Sequence, residues 1–197
     1  LTVFDDRDLT TIREKPKNRL SIETLTISGK KIKKLLDKLA KQMSEGQQIY
    51  WVCPLIEESE NSHLSNSNER FTYLKKEFSQ FEVGLIHGQM SIEHKEGELK
   101  KFKERKIDIL VSTTVIEVGI DNPNATVMVI ENANRFGLSQ LHQLRGRVGR
   151  GTKKSYCFLM HDGNLSDDAI QRLKIMRENQ DGFEIAERDM TLRGSGD

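Results

Sequence analysis

Three arginines and three glycines crowd into nine residues of this chain, the stretch QLRGRVGRG over residues 143–151. Arginine is always charged and carries a planar fork of donors, which suits the spread negative charge of a phosphoryl group in transfer. The pattern predicts a helix over residues 140–150. In such a helix Gln143, Arg147 and Arg150 lie at i, i+4 and i+7 and project from one face.

The glycines and the local charge indicate a role beyond helix formation. Gly146 and Gly149 fall inside the predicted helix, where each costs roughly 0.5–1 kcal/mol relative to alanine, so we expect close backbone approach at these positions. Residues 132–161 hold no acidic residue, although the whole chain carries a net charge of only +1. The alternative is a solvated basic helix paired with neighbouring acids. The bases of this segment are Arg135, Arg145, Arg147, Arg150, Lys153 and Lys154.

A second segment, ILVSTTVIEVGIDNP over residues 109–123, runs from a predicted strand into a short helix and out through a glycine turn. Ser112, Thr113 and Thr114 place three hydroxyls at the carboxyl end of that strand, where exposed amides could bind a phosphate. Thr114 and Glu117 also fit a capping box, so a capped helix without further function explains those two residues alone.

The elements that hold these residues follow from the hydropathy pattern. Short apolar strands alternate with amphipathic helices, which predicts an α/β fold: a three-layer parallel sheet with helices on both faces, and functional groups gathered at the carboxyl ends of the strands. The polar stretch 57–68 is predicted as a surface loop. Strands are predicted at 22–27, 48–56, 82–87, 107–111, 127–131 and 155–160, and the other helices near 29–45, 69–79 and 91–105.

Length and composition favour one main domain within the 197 residues. We expect a connector over residues 1–20, the α/β domain over 21–162, and a strandless helical pair over 163–197. No apolar run is long enough for a membrane span and no signal peptide pattern is present, so the expected setting is the cytoplasm. The chain begins without Met, which suggests a piece of something longer.

The two cysteines, Cys53 and Cys157, each lie in an apolar run with no ligand-spaced histidine nearby, so we expect reduced core thiols. No metal site is predicted.

The stretch QLRGRVGR resembles motif VI of superfamily-two helicases, and residues 109–123 resemble motif V. That resemblance implies a second RecA-like helicase domain, related to the P-loop NTPases, over motifs IV to VI. In the family, motif VI arginines reach across a cleft to ATP phosphates held by a partner domain. By this resemblance Arg150 is the arginine finger, Arg147 its companion on the phosphates, and Gln143 an organising residue beside the nucleotide.

The motif V resemblance implies that the hydroxyls of residues 112–114 contact the nucleic-acid backbone. It also implies that Gly119 makes the turn and that Asp121 approaches the ATP ribose or the attacking water; a plain turn residue is the alternative for Asp121. The segment IHGQM resembles a family segment bordering the nucleic-acid track, which implies a backbone contact at His87 and Gly88. A structural histidine is the alternative there.

The tail over residues 181–197 is similar to the translocation hairpin that follows motif VI in this superfamily, and Arg188 and Arg193 are its candidate residues. The segments IYWVCPLIEES and ENANRFGLSQLHQ favour the bacterial helicases that remodel branched DNA in repair and recombination. The transcription-repair coupling factor, which shares motif VI and the hairpin, is the alternative within the superfamily.

The family's phosphate-binding loop is absent, because the chain contains no GxxxxGK[ST] and no acidic box after a strand. The resemblance therefore implies that ATP and Mg²⁺ are bound mainly by a domain outside this chain, and that this chain alone hydrolyses no ATP. The implied partners are branched or duplex DNA and the ATPase and wedge domains of the same polypeptide. We expect a monomer and no membrane association.

Two other classes of protein fit the sequence less well. A non-catalytic anion-binding or RNA-binding module accounts for the arginines but not for residues 114–121 at their place in the α/β pattern. A dinucleotide-dependent oxidoreductase is excluded, because no GxGxxG follows the first strand.

Overall fold

A computed structural model describes residues 22–54, 60–113 and 122–179. These residues form six strands, five α-helices and two short 3₁₀ helices. The strands are β1 (Ile22–Ser28), β2 (Gln48–Cys53), β3 (Val83–Ile86), β4 (Ile109–Thr113), β5 (Ala125–Ile130) and β6 (Ser155–His161). The helices are α1 (Ile32–Ser44), α2 (Glu60–Glu77), α3 (Ile92–Lys103), α4 (Leu138–Arg145) and α5 (Asp167–Glu178).

The strands form one parallel sheet in the order β1-β6-β5-β2-β4-β3. Every residue of β2, β4 and β5 is buried, which explains why these strands read as continuous apolar runs in the sequence. The register brings Val52 opposite both Ser112 and Ile130, so the carboxyl ends of the three strands lie side by side. The predicted parallel α/β sheet is confirmed.

Helices cover both faces of this sheet. On one face, α1 and α2 bury an apolar core that includes Leu35, Leu39 and Leu74. On the other face, Phe102 of α3 and Leu138 of α4 pack with α5 in a second core. The predicted three-layer arrangement is therefore confirmed. The spacing of buried residues in α1 agrees with its sequence pattern, because Leu35, Leu36, Leu39 and Met43 all face the sheet.

Two predicted elements differ most from the structure. The polar stretch predicted as a loop over 57–68 contains the first half of α2, which begins at Glu60. This half lacks apolar periodicity. The buried apolar residues that anchor α2 are Leu74, in its last turns, and Phe78, just after its end. The helix predicted over 140–150 ends at Arg145.

The two cysteines are free, buried thiols, as predicted. Burial raises the pKa of Cys157 to about 12 and raises the pKa of Cys53 beyond its ordinary range. Among the described residues, no helix combines the length and apolar character that crossing a bilayer requires. Helix α5 begins at the cap Ser166, whose hydroxyl accepts from the backbone N–H of Ala169 at 3.1 Å. The predicted connector and the remainder of the predicted hairpin, residues 180–197, lie outside the described residues.

Candidate nucleotide and nucleic-acid site

The arginines lie in a loop, residues 146–154, that joins α4 to β6; we call it the arginine loop. Helix α4 starts after Gly137, whose backbone N–H donates to Oε1 of Gln140 at 3.2 Å, and it ends at Arg145. Gln143 is therefore helical, whereas Arg147 and Arg150 are not. The prediction that Gln143, Arg147 and Arg150 lie at i, i+4 and i+7 of one helix is wrong, because the helix ends before Arg147.

Gly149 keeps the arginine loop out of a helical path after α4 has ended. Its φ of 79° lies in the left-handed region, which favours glycine. A Cβ on Gly149 would stand 2.9 Å from Cγ1 and Cδ1 of Ile22 at the start of β1. The close approach predicted at Gly149 is confirmed, although the reason is a loop conformation rather than a helix contact. Gly146 caps α4, and a Cβ there would meet only the carbonyls of Gln143 and His142, at 3.4 and 3.5 Å.

The arginine loop packs against the residues that leave motif V. A Cβ on Gly151 would stand 2.7 Å from the carbonyl oxygen of Pro123, so these two backbones are in direct contact. Pro123 lies two residues after Asp121, which is itself outside the described residues. The end of motif VI and the end of motif V thus meet at the amino edge of the sheet, where β5 and β6 begin.

The three arginines of the stretch have different surroundings. Arg150 is exposed, and its Nε donates to the carbonyl of Gly146 at 3.1 Å. Arg147 is half-buried and Gln143 is exposed. Arg145, in contrast, is only 2% exposed. Arg145 is therefore not part of the accessible surface of the predicted basic patch.

Arg145 ties α4 to two other elements. Its Nη1 donates to Thr24 Oγ1 of β1 at 3.1 Å and to the carbonyl of Met176 in α5 at 2.7 Å. Burial lowers the pKa of Arg145. These bonds give the arginine a structural role, and its position fixes where the arginine loop starts.

A buried amide pair anchors the exit of motif V. The Nδ2 of Asn122 donates to Oε1 of Gln48 at 3.0 Å, and Nε2 of Gln48 donates to the carbonyls of Phe102 and Ile107 at 2.6 and 2.7 Å. Oδ1 of Asn122 accepts from the N–H of Asn124 at 3.0 Å. Both side chains are 2% exposed, and a fully bonded buried network of this kind fixes a single geometry. The sequence signal for it was a glutamine at the start of a buried strand.

The candidate nucleic-acid residues lie at the opposite, carboxyl edge. Ile86 pairs with Ser112, so His87 follows β3 directly beside the end of β4. His87 is half-buried and Gly88 is exposed, whereas Ser112 and Thr113 are buried. Thr113 Oγ1 has no hydrogen-bond partner among the described residues. Burial lowers the pKa of His87, with a further contribution from the positive charge of Lys95.

The two groups of residues are thus separated by the height of the sheet. Strand β4 spans five residues, or roughly 15 Å at about 3.3 Å per residue. The expectation that the functional groups gather at the carboxyl ends holds for His87, Ser112 and Thr113 but is wrong for the arginine loop. Helix α4 runs back across the sheet, and this return carries Arg147 and Arg150 to the amino edge. Thr114, Gly119, Asp121, Arg188 and Arg193 lie outside the described residues.

A cluster that the sequence did not reveal sits at the carboxyl end of β5. The carboxylate of Glu131 accepts from Arg70 through Nε at 2.7 Å and Nη2 at 3.0 Å, and from Nε1 of Trp51 at 2.9 Å. The guanidinium of Arg70 also lies 5.5 Å from the ring centre of Trp51 and 5.2 Å from that of Tyr73. Burial alone would lower the pKa of Arg70, but the bonds and charge of Glu131 outweigh it and raise that pKa. This cluster joins α2 to the strand that leads into motif VI.

Comparison with known proteins agrees with this architecture. The model of the helicase conserved C-terminal domain family matches residues 30–152. The chain is 49% identical to the ATP-dependent DNA helicase RecG of Synechocystis sp. and 46% identical to that of Thermotoga maritima. Both alignments cover all of this chain but only 24% and 25% of those proteins, so the chain spans about a quarter of the length of these curated relatives.

Solved structures give the same picture. A structure of RecG bound to a three-way DNA junction superposes with a TM-score of 0.77 at 44% identity, covering 89% of this chain and 23% of that chain. The yeast DEAD-box splicing factor Prp28 superposes with a TM-score of 0.65 at 17% identity, covering 93% of this chain and 40% of that one, and shares the fold alone. The resemblance to superfamily-two helicases is confirmed, and the chain belongs to the family of helicase conserved C-terminal domains.

Proposed function

We propose that this chain is the second RecA-like motor domain, over residues 21–162, of an ATP-dependent DNA helicase that remodels branched DNA in repair and recombination. The observation that carries the proposal is the contact between the arginine loop and the exit of motif V, through Gly151 and Pro123. This contact brings the two segments that the family uses at its nucleotide to one edge of the sheet. The similarity to RecG over the whole chain supports the choice of substrate class.

At the amino edge, this chain supplies one wall of a nucleotide pocket. Arg150 acts as the arginine finger and Arg147 as its companion, with Gln143 organising the nucleotide side of α4. Gly119 and Asp121 complete this wall from motif V. The ATP and its Mg²⁺ are held mainly by another domain of the same polypeptide, and the exposure of Arg150 supports its role as a group that reaches across to them.

At the carboxyl edge, the chain contacts the DNA backbone. His87, Gly88 and the hydroxyls of residues 112–114 carry these contacts. The Oγ1 of Thr113, which lacks a partner among the described residues, supports a role in binding phosphate or in shaping the segment that does so. The chain of motif V leaves β4 at this edge and reaches the amino edge at Pro123, so it is suited to relate nucleotide state to DNA position.

The remaining parts of the proposal concern the wider protein. Arg188 and Arg193 belong to a translocation hairpin over residues 163–197, of which α5 is the first helix. The partners are branched or duplex DNA and the ATPase and wedge domains of the same polypeptide, in a cytoplasmic monomer. Identity to RecG at 46–49% favours this function over the transcription-repair coupling factor, and the family match disfavours a non-catalytic binding module.

Fork regression tests the proposed function. The complete protein that carries this chain is mixed with a model replication fork, and conversion to the regressed four-way product is followed with ATP and with a non-hydrolysable analogue. We expect conversion with ATP alone and without RNA polymerase. An absence of fork conversion, together with an absence of DNA-stimulated ATP hydrolysis, would contradict the proposal.

A further inference from the structure

Helix α1 carries a row of lysines on its solvent face. Lys34, Lys38 and Lys41 are exposed and lie at i, i+4 and i+7, on the side opposite the buried leucines. Lys30 and Lys31, also exposed, extend the row through the short 3₁₀ turn that precedes the helix. We call these five residues the lysine face; Asp37 is the one acidic residue of α1.

The lysine face is not neutralised by the described part of the protein. Within the described ranges, none of its five ammonium groups has a carboxylate oxygen within 4.0 Å. Several other lysines do have such a partner: Lys33 with Glu77 at 3.9 Å, Lys101 with Glu98 at 3.4 Å, Lys106 with Glu104 at 3.3 Å and Lys154 with Glu23 at 3.3 Å. Among the described residues, α1 thus carries a cationic strip without carboxylate partners, although the charges of the whole chain nearly balance.

The lysines at the start of the row are placed unfavourably for the helix, whereas Lys41 lies favourably in its last turn. The first turn of α1 holds no acidic residue, whereas α3 has Glu93 and α5 has Asp167 and Asp168 in theirs. Cations near a helix N-terminus oppose the helix dipole, so Lys30, Lys31 and Lys34 weaken α1 slightly. The helix dipole therefore does not explain the lysines at the start of the row.

The lysine face starts at the same carboxyl edge of the sheet as the candidate DNA residues, four strand positions from β4. The 3₁₀ turn of Gly29–Lys31 follows Ser28, which pairs with His161 at the carboxyl edge of the sheet. From there the row runs toward the amino edge, and Lys34 to Lys41 span roughly 10 Å at about 1.5 Å per residue. Duplex DNA carries about one charge per 1.7 Å of its axis, so this length faces several phosphates.

We infer that the lysine face of α1 binds the phosphate backbone of duplex DNA, as a second contact surface beside the residues at the carboxyl edge. The inference rests on the proposed function, because it adds a DNA surface to a DNA motor. An anionic membrane is a poorer partner. Among the described residues, the large apolar side chains that are exposed are Ile92 and Ile170, and neither lies on α1, so the lysine face has nothing to insert into a bilayer.

The salt dependence of DNA binding tests this inference. The chain and its variant Lys34→Gln/Lys38→Gln/Lys41→Gln are titrated with a fluorescent duplex of about 30 base pairs at several NaCl concentrations. Each phosphate contact contributes about 0.9 to the slope of log K against log [NaCl]. We expect the variant to lose roughly 2–3 from that slope while its circular dichroism is unchanged, because glutamine is as good a helix former as lysine.

A matched control separates a local surface from overall charge. The variant Lys100→Gln/Lys101→Gln/Lys103→Gln removes the same charge from α3, which covers the other face of the sheet. We expect its slope to change by less than about 1. Equal losses in the two variants, no loss in the α1 variant, or no binding by the unmodified chain at low salt would each overturn the inference. Loss of binding to anionic lipid vesicles without loss of DNA binding would also overturn it.

The outcomes also separate this inference from the proposed function. If the inference fails, the salt-dependence slope of the α1 variant equals that of the unmodified chain or of the α3 control, while the complete protein still regresses forks. If the proposed function fails, fork regression is absent even though the α1 variant still shows the smaller slope.

Discussion

Replacing Gly149 with alanine tests how the arginine loop is held. In the structure this residue has a φ of 79°, and a Cβ would stand 2.9 Å from two side-chain atoms of Ile22. Both features oppose any residue other than glycine. The substitution therefore perturbs the loop that carries Arg147 and Arg150 without touching either arginine.

The expected loss follows from three contributions. The left-handed backbone costs a non-glycine residue roughly 1–2 kcal/mol. The contact with Ile22 adds about 1 kcal/mol, at the low end for overpacking, because the end of a half-buried side chain can shift. Alanine restricts the unfolded chain and offsets about 0.4–1 kcal/mol. The free energy of unfolding should fall by about 2 kcal/mol, which lowers the Tm by roughly 4–8 °C for a domain of this size.

Urea unfolding of the chain, followed by circular dichroism, measures this loss. Gly97→Ala is the matched control, because Gly97 lies inside α3 and a Cβ there meets nothing within 4 Å. That control should stabilise the chain by about 0.5–1 kcal/mol. A stability of Gly149→Ala within about 0.5 kcal/mol of the unmodified chain would refute the account of the loop.

Three further predictions concern the rest of the domain. Glu131→Gln should lower the free energy of unfolding by about 1–3 kcal/mol, because it leaves the largely buried charge of Arg70 without its carboxylate. The control Glu23→Gln, which removes an exposed partner of Lys154, should change that free energy by less than about 0.5 kcal/mol. Equal losses of the two variants in urea unfolding would contradict this prediction. Burial and the charge of Arg145 lower the pKa of His142, so the unfolded chain binds its proton more readily. Stability should therefore fall as the pH drops from the ordinary histidine pKa of 6.5 toward the lower folded pKa, and His142→Gln should flatten that part of the pH profile; an unchanged profile would argue against it. The isolated chain should fold yet hydrolyse no ATP, so DNA-stimulated phosphate release by the purified chain would disprove the need for a second domain.

The sheet was predictable from the sequence for a physical reason. Strands buried on both faces must be apolar along their whole length, and the runs at β2, β4 and β5 satisfy that condition. The amphipathic pattern of α1 gave its buried face correctly. The first half of α2 was missed, because its polar residues carry no periodic signal and its apolar anchors lie near its carboxyl end.

The candidate site was predictable in its residue types but not in its geometry. The spacing of Gln143, Arg147 and Arg150 fits a helix, but in the structure the helix ends at Arg145 and a left-handed residue, Gly149, lies between the two arginines. The buried role of Arg145 depends on Thr24 and Met176, which lie far away in sequence. Contacts of this kind are set by tertiary packing, which no local pattern reports.

The arginine finger is the central claim, and Arg150→Lys tests it most directly. The kcat of DNA-stimulated ATP hydrolysis is measured for the complete protein with and without this substitution, together with the KM for ATP. Lysine keeps the charge but loses the planar fork, so we predict that kcat falls by about a thousandfold while the KM changes far less. An unchanged kcat would contradict the claim that Arg150 completes the nucleotide pocket.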